Sequence, residues 1–424
     1  MTLSSQTQLE SLFSTAVGRA VRAGEVVEVP VDLVMGHDAT LALAIADFDR
    51  LSCRLWDSSR MLITCDHFAP PARADHADLQ KSVLQFAERQ GIPDLHIYLG
   101  ICHQLMLEDA RVQPGRIVVG ADSHTLLAGA LGCFATGLGA TDILGCMVSG
   151  KTWFRVPESL RITFSGRRRP WVMGRDLALD LLGMFGESGA SYQALELWDD
   201  TQDGLGMDSR AAICCMATEM GAKAALFTPD EITREFLQLR DNDILFPFPP
   251  VEVDEGAYKE NLHIDVGTVD SLVAKPHSPA NVCPVEEVTG TRLDEVYIGS
   301  CSGGRLEDFA MAANLLAGKK VARGLKVIAV PSSVTVQRQA IALGYFQILT
   351  EAGVCVSNPS CGACGKLDKG VLATGDVALT TSTRNFQGRL GPRESAVYLA
   401  STATCAASAV TGYITPPAEV WEEK

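Results

Sequence analysis

The sequence predicts an α/β protein built on doubly wound, mostly parallel sheets, and three observations carry that expectation. Short apolar segments alternate with helix-like ones, Pro and Gly fall between them, and polar clusters follow the ends of several apolar segments. In the N-terminal part, residues 60–64 (RMLIT) read as a strand running into Cys65-Asp66-His67. Residues 116–119 (RIVV) do the same into Gly120-Ala-Asp-Ser-His-Thr125. The glycine-rich stretch 129–139 implies tight turns or close packing of backbone. Residues 156–275 carry few motifs. In the last third, 294–298 (DEVYI) is a short strand followed by Gly299-Ser-Cys-Ser-Gly-Gly304 and an amphipathic helix over 306–317 with acids in its first turn. A strand at 327–330, a helix over 336–352, a strand at 354–357 and the turn Pro359-Ser-Cys-Gly-Ala-Cys-Gly365 complete the pattern. Both cysteine loops then lie at the carboxyl ends of strands, where open parallel sheets place their ligands.

With 424 residues, of which 47% are apolar, the chain is too long for one core and suits two or three α/β domains. Boundaries near Pro157 and at the proline-bracketed Lys275-Pro-His-Ser-Pro279 divide it into 1–158, 159–276 and 277–424. No run approaches the roughly 20 apolar residues that span a bilayer, and the start lacks a basic segment followed by an apolar one. A cytoplasmic location is the expectation. The formal charge of −15 and the short Arg167-Arg168-Arg169 run argue against nucleic acid and anionic membranes as partners.

An odd count of 13 cysteines without a secretory leader does not read as a disulfide framework. Cys53, Cys65, Cys102, Cys133, Cys146, Cys283, Cys355 and Cys405 stand singly in apolar surroundings, as small core residues do. Cys301, Cys361 and Cys364 differ, because two Gly-rich loops could bring these three soft thiolates together. By spacing alone, Cys361-x-x-Cys364 equally suits a redox pair, half a zinc site or an iron–sulfur cluster. Three ligands rather than four would leave one iron open to substrate, as Lewis-acid chemistry requires.

Asp66-His67 and Asp122-Ser-His124 are carboxylate–imidazole groupings able to poise a histidine near neutral pH, although turns often carry such residues for structural reasons. His103 and Glu219 are unremarkable in isolation. Arg384 and Arg389 share a loop, and paired guanidinium forks suit a di- or tricarboxylate, or simply a solvated surface.

These residues occur in the order and local sequence of a known family. GHDAT (36–40), CDHFAP (65–70), GICHQ (100–104), VVGADSHT (118–125), YIGSCSGGRLED (297–308), PSCGACG (359–365) and STRNFQGRLG (382–391) are among the matching stretches. Over residues 31–414 the chain resembles the aconitase superfamily, and within it the large subunits of 3-isopropylmalate dehydratase and homoaconitase. The resemblance implies three α/β/α domains around a central iron–sulfur site, without the family's swivelling domain. It also implies a hydro-lyase of leucine or lysine biosynthesis that interconverts hydroxy acids through an alkene.

Carried over residue by residue, the resemblance makes Cys301, Cys361 and Cys364 the ligands of one [4Fe–4S] cluster per chain, whose open iron takes the substrate hydroxyl. It makes Asp66 and His67 the pair that protonates the departing hydroxyl, with His103–Glu219 and Asp122–His124 as supporting pairs. Arg384, Arg389, Ser123 and His37 would hold substrate carboxylates. The base in this family is a serine on the swivelling domain. The chain ends soon after Thr411-Gly-Tyr-Ile414, so a small subunit is expected to supply that domain, and the large chain alone is expected to be inactive.

Three positions depart from the family pattern: Gly303, Cys215 and Thr383 stand where asparagines are usual around the cluster, which should alter its potential and lability. Residues 126–129 (LLAG) also differ from the usual Cys-Thr-His-Gly or Cys-Thr-Tyr-Gly, which bears on substrate preference. These departures read either as a diverged dehydratase with compensating neighbours or as an unusual substrate or a modified metal site, with Cys215 close enough to touch the cluster. Maleate, citraconate or a related short diacid is an alternative substrate; a different class would be an iron sensor that binds RNA, which the net charge of −15 opposes.

Overall fold

A computed structural model of the chain describes residues 6–240, 254–366 and 368–422; the first five residues, used above to judge a leader, lie outside that range. Among the described residues three parallel or mostly parallel sheets organise the chain. The first has five strands in the order Leu95–Ile97, Met61–Cys65, Leu33–His37, Ile117–Gly120, Phe134–Gly137, all parallel. Its three middle strands are buried at every position. That is why they read as continuous apolar runs rather than as alternation.

The third sheet has seven strands. Its parallel part runs Ala396–Ala400, Val377–Thr380, Glu295–Ile298, Lys326–Ala329, Cys355–Val356, and two antiparallel strands, Leu272–Ala274 and Val282–Pro284, extend one edge. In both sheets the first parallel strand in sequence, Leu33–His37 or Glu295–Ile298, sits in the middle and the chain winds away from it in both directions. The crevice at such a reversal is where doubly wound folds bind ligands. His37 ends the first of these strands, and the Cys301 turn follows the second. Between them in sequence lies a four-stranded parallel sheet: Ala224–Phe227, Ala194–Thr201, Ser159–Gly166 and Glu260–Asp265. Leu272–Ala274, on the near side of the expected boundary at 276, joins the third sheet.

One hydrophobic core runs through all three sheets, including Met35 and Leu62 of the first, Ile162 and Leu197 of the second, and Leu399 of the third. The carboxyl edges of the outer two sheets are stitched directly. Ile101 N–H donates to Ser332 O (2.7 Å), Val334 N–H to Leu99 O (2.8 Å) and Cys361 N–H to Asp66 O (3.0 Å). Gly129 explains the glycine-rich stretch: a Cβ there would fall 1.7 Å from the carbonyl oxygen of Ala225.

Two expectations need correction. The single helix over 336–352 is two, Val334–Ala342 and Tyr345–Ala352, because Gly344 takes a left-handed conformation (φ 76°) that ends the first. Cys355 is exposed and Cys53 half-buried, whereas the other six solitary cysteines are buried as core residues. Cys355 lies on the edge strand of its sheet, which leaves it open to solvent. Among the described residues no helix is long and apolar enough to cross a membrane.

Candidate active site

The carboxyl edge of the first sheet supplies imidazoles and carboxylates. His37 and His67 follow neighbouring strands and stack face to face, with ring centroids 3.7 Å apart and 9° between planes. Asp66 is fully buried; its Oδ1 accepts from Thr64 Oγ1 (2.9 Å) and lies 3.1 Å from His67 Nδ1, while its Oδ2 accepts from Cys102 N–H (2.8 Å). Asp122 caps the short helix Ser123–Leu131 by accepting from His124 N–H (2.8 Å). Its carboxylate is also a hub, 2.9 Å from His103 Nε2, 3.5 Å from His37 Nε2 and 3.9 Å from His67 Nε2.

The structure keeps the expected Asp122–His124 pair (Oδ1 to Nδ1, 3.5 Å) and changes the other: Glu219 partners His124 (Oε1 to Nε2, 2.9 Å), and His103 partners Asp122 (2.9 Å). Glu219 arrives from the middle part of the chain, on the turn Ala217–Met220, and reaches the outer face of His124. His103, in the first turn of the helix Cys102–Glu108, lies beside Asp122. Arg384 closes this side: its Nε donates to Glu219 Oε1 (2.7 Å) and its Nη2 to Ser123 Oγ (3.0 Å).

Burial disfavours the His67 cation, but Asp66, Asp122 and Asp38 outweigh it and the group is pushed up to about 9. His124 is buried too, yet Cys301, Asp122 and Glu219 push it up to about 10. His103 moves down, because burial exceeds the help from Asp122. Near neutral pH the site therefore holds two charged imidazoles, His67 and His124, and a neutral one, His103. Two donor sets, His37–Asp38–Asp66–His67 and His103–Asp122–His124, each close within 4.8 Å. Each carboxylate is already engaged by histidine or backbone N–H, so these sets read as proton-handling networks.

Facing this edge are the thiols. Cys301 is buried in the turn after Glu295–Ile298; Cys361 and Cys364 lie on the turn after Cys355–Val356, the second of them buried. Each of the three is close enough to bear on another's charge. Hydrogen bonding with Cys215, then burial, pushes Cys301 up; Cys361 rises through its bond with Cys364. That same bond, with Arg389 and His124 nearby, holds Cys364 down. Arg389 lies beside Cys364 and, among the described residues, pairs with no carboxylate; its Nε is buried without a partner.

The departures from the family pattern sit here as well. Cys215 Sγ lies 3.6 Å from Cys301 Sγ, and Thr383 Oγ1 is 3.9 Å from Cys364 Sγ. Gly303 is forced: a Cβ there would lie 2.5 Å from Thr381 Cβ, leaving no room for a larger residue.

Sequence reasoning missed three contributors. Asp38, inside the quoted GHDAT stretch, accepts from His67 N–H (3.1 Å) and Phe68 N–H (3.2 Å), fixing the His67 turn. Arg305, inside the quoted YIGSCSGGRLED stretch, donates to Cys301 O. Arg175, in the unremarkable middle of the chain, reaches the Cys301 turn from another sheet's helix; no local signal marks it.

Fold and site together define an enzyme of the hydro-lyase class. The model of the aconitase family (aconitate hydratase) matches residues 10–292 and 286–412. A 3-isopropylmalate dehydratase large subunit 1 from Archaeoglobus fulgidus is 41% identical over 98% of this chain and 99% of its own. A probable methanogen homoaconitase large subunit from Methanosarcina mazei is 43% identical over 92% and 99%. The chain belongs to the aconitase family, as its motifs suggested. Among solved structures, aconitase X of Thermococcus kodakaraensis in its holo form shares the fold at a TM-score of 0.51 and 14% identity, covering 89% of this chain and 90% of that one.

Proposed function

We propose that this chain is the large subunit of a two-subunit dehydratase that removes and re-adds water on a small hydroxy-polycarboxylate such as 3-isopropylmalate. What supports the reading is that Cys301, Cys361 and Cys364, on two loops of one sheet edge, are near enough to act on one another's charge, and that Cys361 N–H donates to Asp66 O (3.0 Å) in the histidine–carboxylate network of the other edge. The donor set suits a [4Fe–4S] cluster. All three cysteines are free thiols, and among the described residues the donor groups tight enough for one ion are imidazole–carboxylate sets rather than thiols, so a multi-iron centre fits them better. Such a cluster, with three protein ligands, supplies an open Lewis-acid position that weakens the bond to a substrate hydroxyl.

The chain's own residues supply the rest. His67 is kept protonated by Asp66 and donates the proton that the departing hydroxyl needs. Asp66 is anchored by two hydrogen bonds besides its contact with His67, from Thr64 Oγ1 and Cys102 N–H, so the His67 ring is fixed rather than free to swing. Arg384, oriented by Glu219, and Arg389, which among the described residues forms no ion pair with a carboxylate, hold substrate carboxylates. His37 and Ser123 complete the polar wall. The names of the relatives, large subunits in each case, support a small-subunit partner that carries the base.

Homoaconitate, maleate or citraconate would satisfy the same carboxylate-binding residues. RNA is disfavoured by the charge of −15. Anaerobic reconstitution with iron and sulfide should give about four irons per chain and a broad brown absorbance. Two irons, or zinc in their place, refute the cluster. With the neighbouring small subunit added, a panel of hydroxy diacids should reveal one that turns over; none turning over rejects the dehydratase.

A further inference from the structure

Arg175 opens the helix Gly174–Phe185, beside the second sheet, and its side chain is 3% exposed. Its Nη1 donates to Ser302 Oγ (2.5 Å) and Thr381 O (2.8 Å), and its Nη2 donates to Ser382 O. All three acceptors are neutral. Its Nε has no partner, and among the described residues no carboxylate lies within 4.0 Å of the guanidinium. The groups that bear on its charge include the thiols of Cys215, Cys405 and Cys301 and the carboxylates of Asp308 and Asp176; Asp176 already accepts from Met173 N–H (2.9 Å) and Leu272 N–H (3.3 Å). Asp308 is already committed, accepting from Gly304 N–H (2.9 Å), Arg305 N–H (3.0 Å) and Thr402 Oγ1 (2.6 Å).

A buried cation without an anion is costly unless something compensates it. Hydrogen bonds to two carbonyls and a hydroxyl do not cancel the charge. A second guanidinium, Arg305, grips the same turn through Cys301 O and likewise has an unpartnered nitrogen, Nη1. The Cys301 turn is thus held by two arginines, and among the described residues no carboxylate forms an ion pair with Arg175, the nearby Asp308 and Asp176 being engaged by other donors.

We propose that Arg175 is the built-in counter-charge of the metal centre at Cys301, a positioning residue that sets the centre's affinity and reduction potential without touching substrate. The inference rests on the cluster reading above. Three thiolates on a [4Fe–4S] core leave a net charge of about −1, which Arg175 helps to offset from the Cys301 side, as His124 and Arg389 do beside Cys364. Reduction of the centre adds negative charge, so the guanidinium favours the reduced state and raises the potential. Arg175 also ties the Cys301 turn to Thr381 and Ser382, the residues leading to Thr383 beside Cys364 and to the substrate arginines. Filling the site and ordering those loops are thereby linked.

Two substitutions separate charge from hydrogen bonding. Arg175→Gln keeps donors and removes the charge; Arg175→Lys keeps the charge with a single donor head. The full-length chain is reconstituted anaerobically with iron and sulfide, its midpoint potential is followed by EPR-monitored titration, and iron release to a chelator is timed. The Gln chain is expected to show a more negative potential and roughly tenfold faster iron release, and the Lys chain to stay near wild type in both. A Gln chain with wild-type potential, or a Lys chain shifted as far as the Gln chain, overturns the proposal and leaves Arg175 a structural tie. Should the Gln chain fail to fold, the Lys chain decides alone, unchanged values supporting the counter-charge and shifted values rejecting it. A wild-type chain that takes up no cluster is a different result, and sinks the function proposed above.

Discussion

His37 and His67 lie ring on ring, 3.7 Å between centroids, while the Nε2 of each points to the same Asp122 oxygen at 3.5 and 3.9 Å. Asp66, 3.1 Å from His67 Nδ1, favours the charged form of His67. His67→Gln should therefore lower turnover of the reconstituted two-subunit enzyme by about 10²- to 10⁴-fold with iron content unchanged. Iron analysis beside the steady-state rate is the check, and an unaffected rate removes His67 from the acid role.

The same pair sets a pH dependence. The folded His67 cation is favoured up to about 9, against about 6.5 for an ordinary histidine. Its contribution to stability is fully present below about pH 6.5 and is lost as pH rises towards 9, by at most about 3 kcal/mol. The melting temperature of the wild-type chain should fall across that window more steeply than that of His67→Gln. Parallel curves would contradict the assignment.

Cys215 Sγ lies 3.6 Å from Cys301 Sγ, within easy reach of bonding once no metal holds Cys301. Hydrogen peroxide added to the metal-free chain should join them, two thiols and one peroxide giving a disulfide and two waters. Non-reducing peptide mass spectrometry would show the Cys215–Cys301 link, and Cys215→Ser would abolish it. A chain in which Cys301 instead pairs with Cys361 or Cys364 would show that the Cys215 contact is not the preferred one.

Gly303→Ala places a methyl group 2.5 Å from Thr381 Cβ. Overpacking of this kind costs about 1–3 kcal/mol. Denaturant unfolding should show that loss, and an unchanged midpoint would mean the Cys301 turn yields without cost.

Arg384→Ala should raise KM for the dicarboxylate substrate, because it removes a guanidinium and frees Glu219, whose Oε1 accepts from Arg384 at 2.7 Å. Losing the Arg384 cation also removes one support for the lowered Glu219 carboxyl. Initial rates over a substrate series separate KM from kcat; an effect on neither would place Arg384 outside the substrate site.

The sequence by itself determined the alternation of strands and helices, the cysteine and histidine loops at strand ends, and family membership through motifs such as SCGAC and ADSH. These are local patterns, fixed by residues a few positions apart. Partners across the chain were decided only by tertiary structure: His103 with Asp122, His124 with Glu219, Cys215 with Cys301. Arg175 shows why. Nothing around it in Gly174-Arg-Asp176 signals a role, and its importance comes from being carried, by packing of one sheet's helix against another sheet's edge, to a buried place more than a hundred residues away from its nearest contacts in sequence. Hydrogen bonds and charges act over a few ångströms of space, and chain order does not encode which distant residues share them.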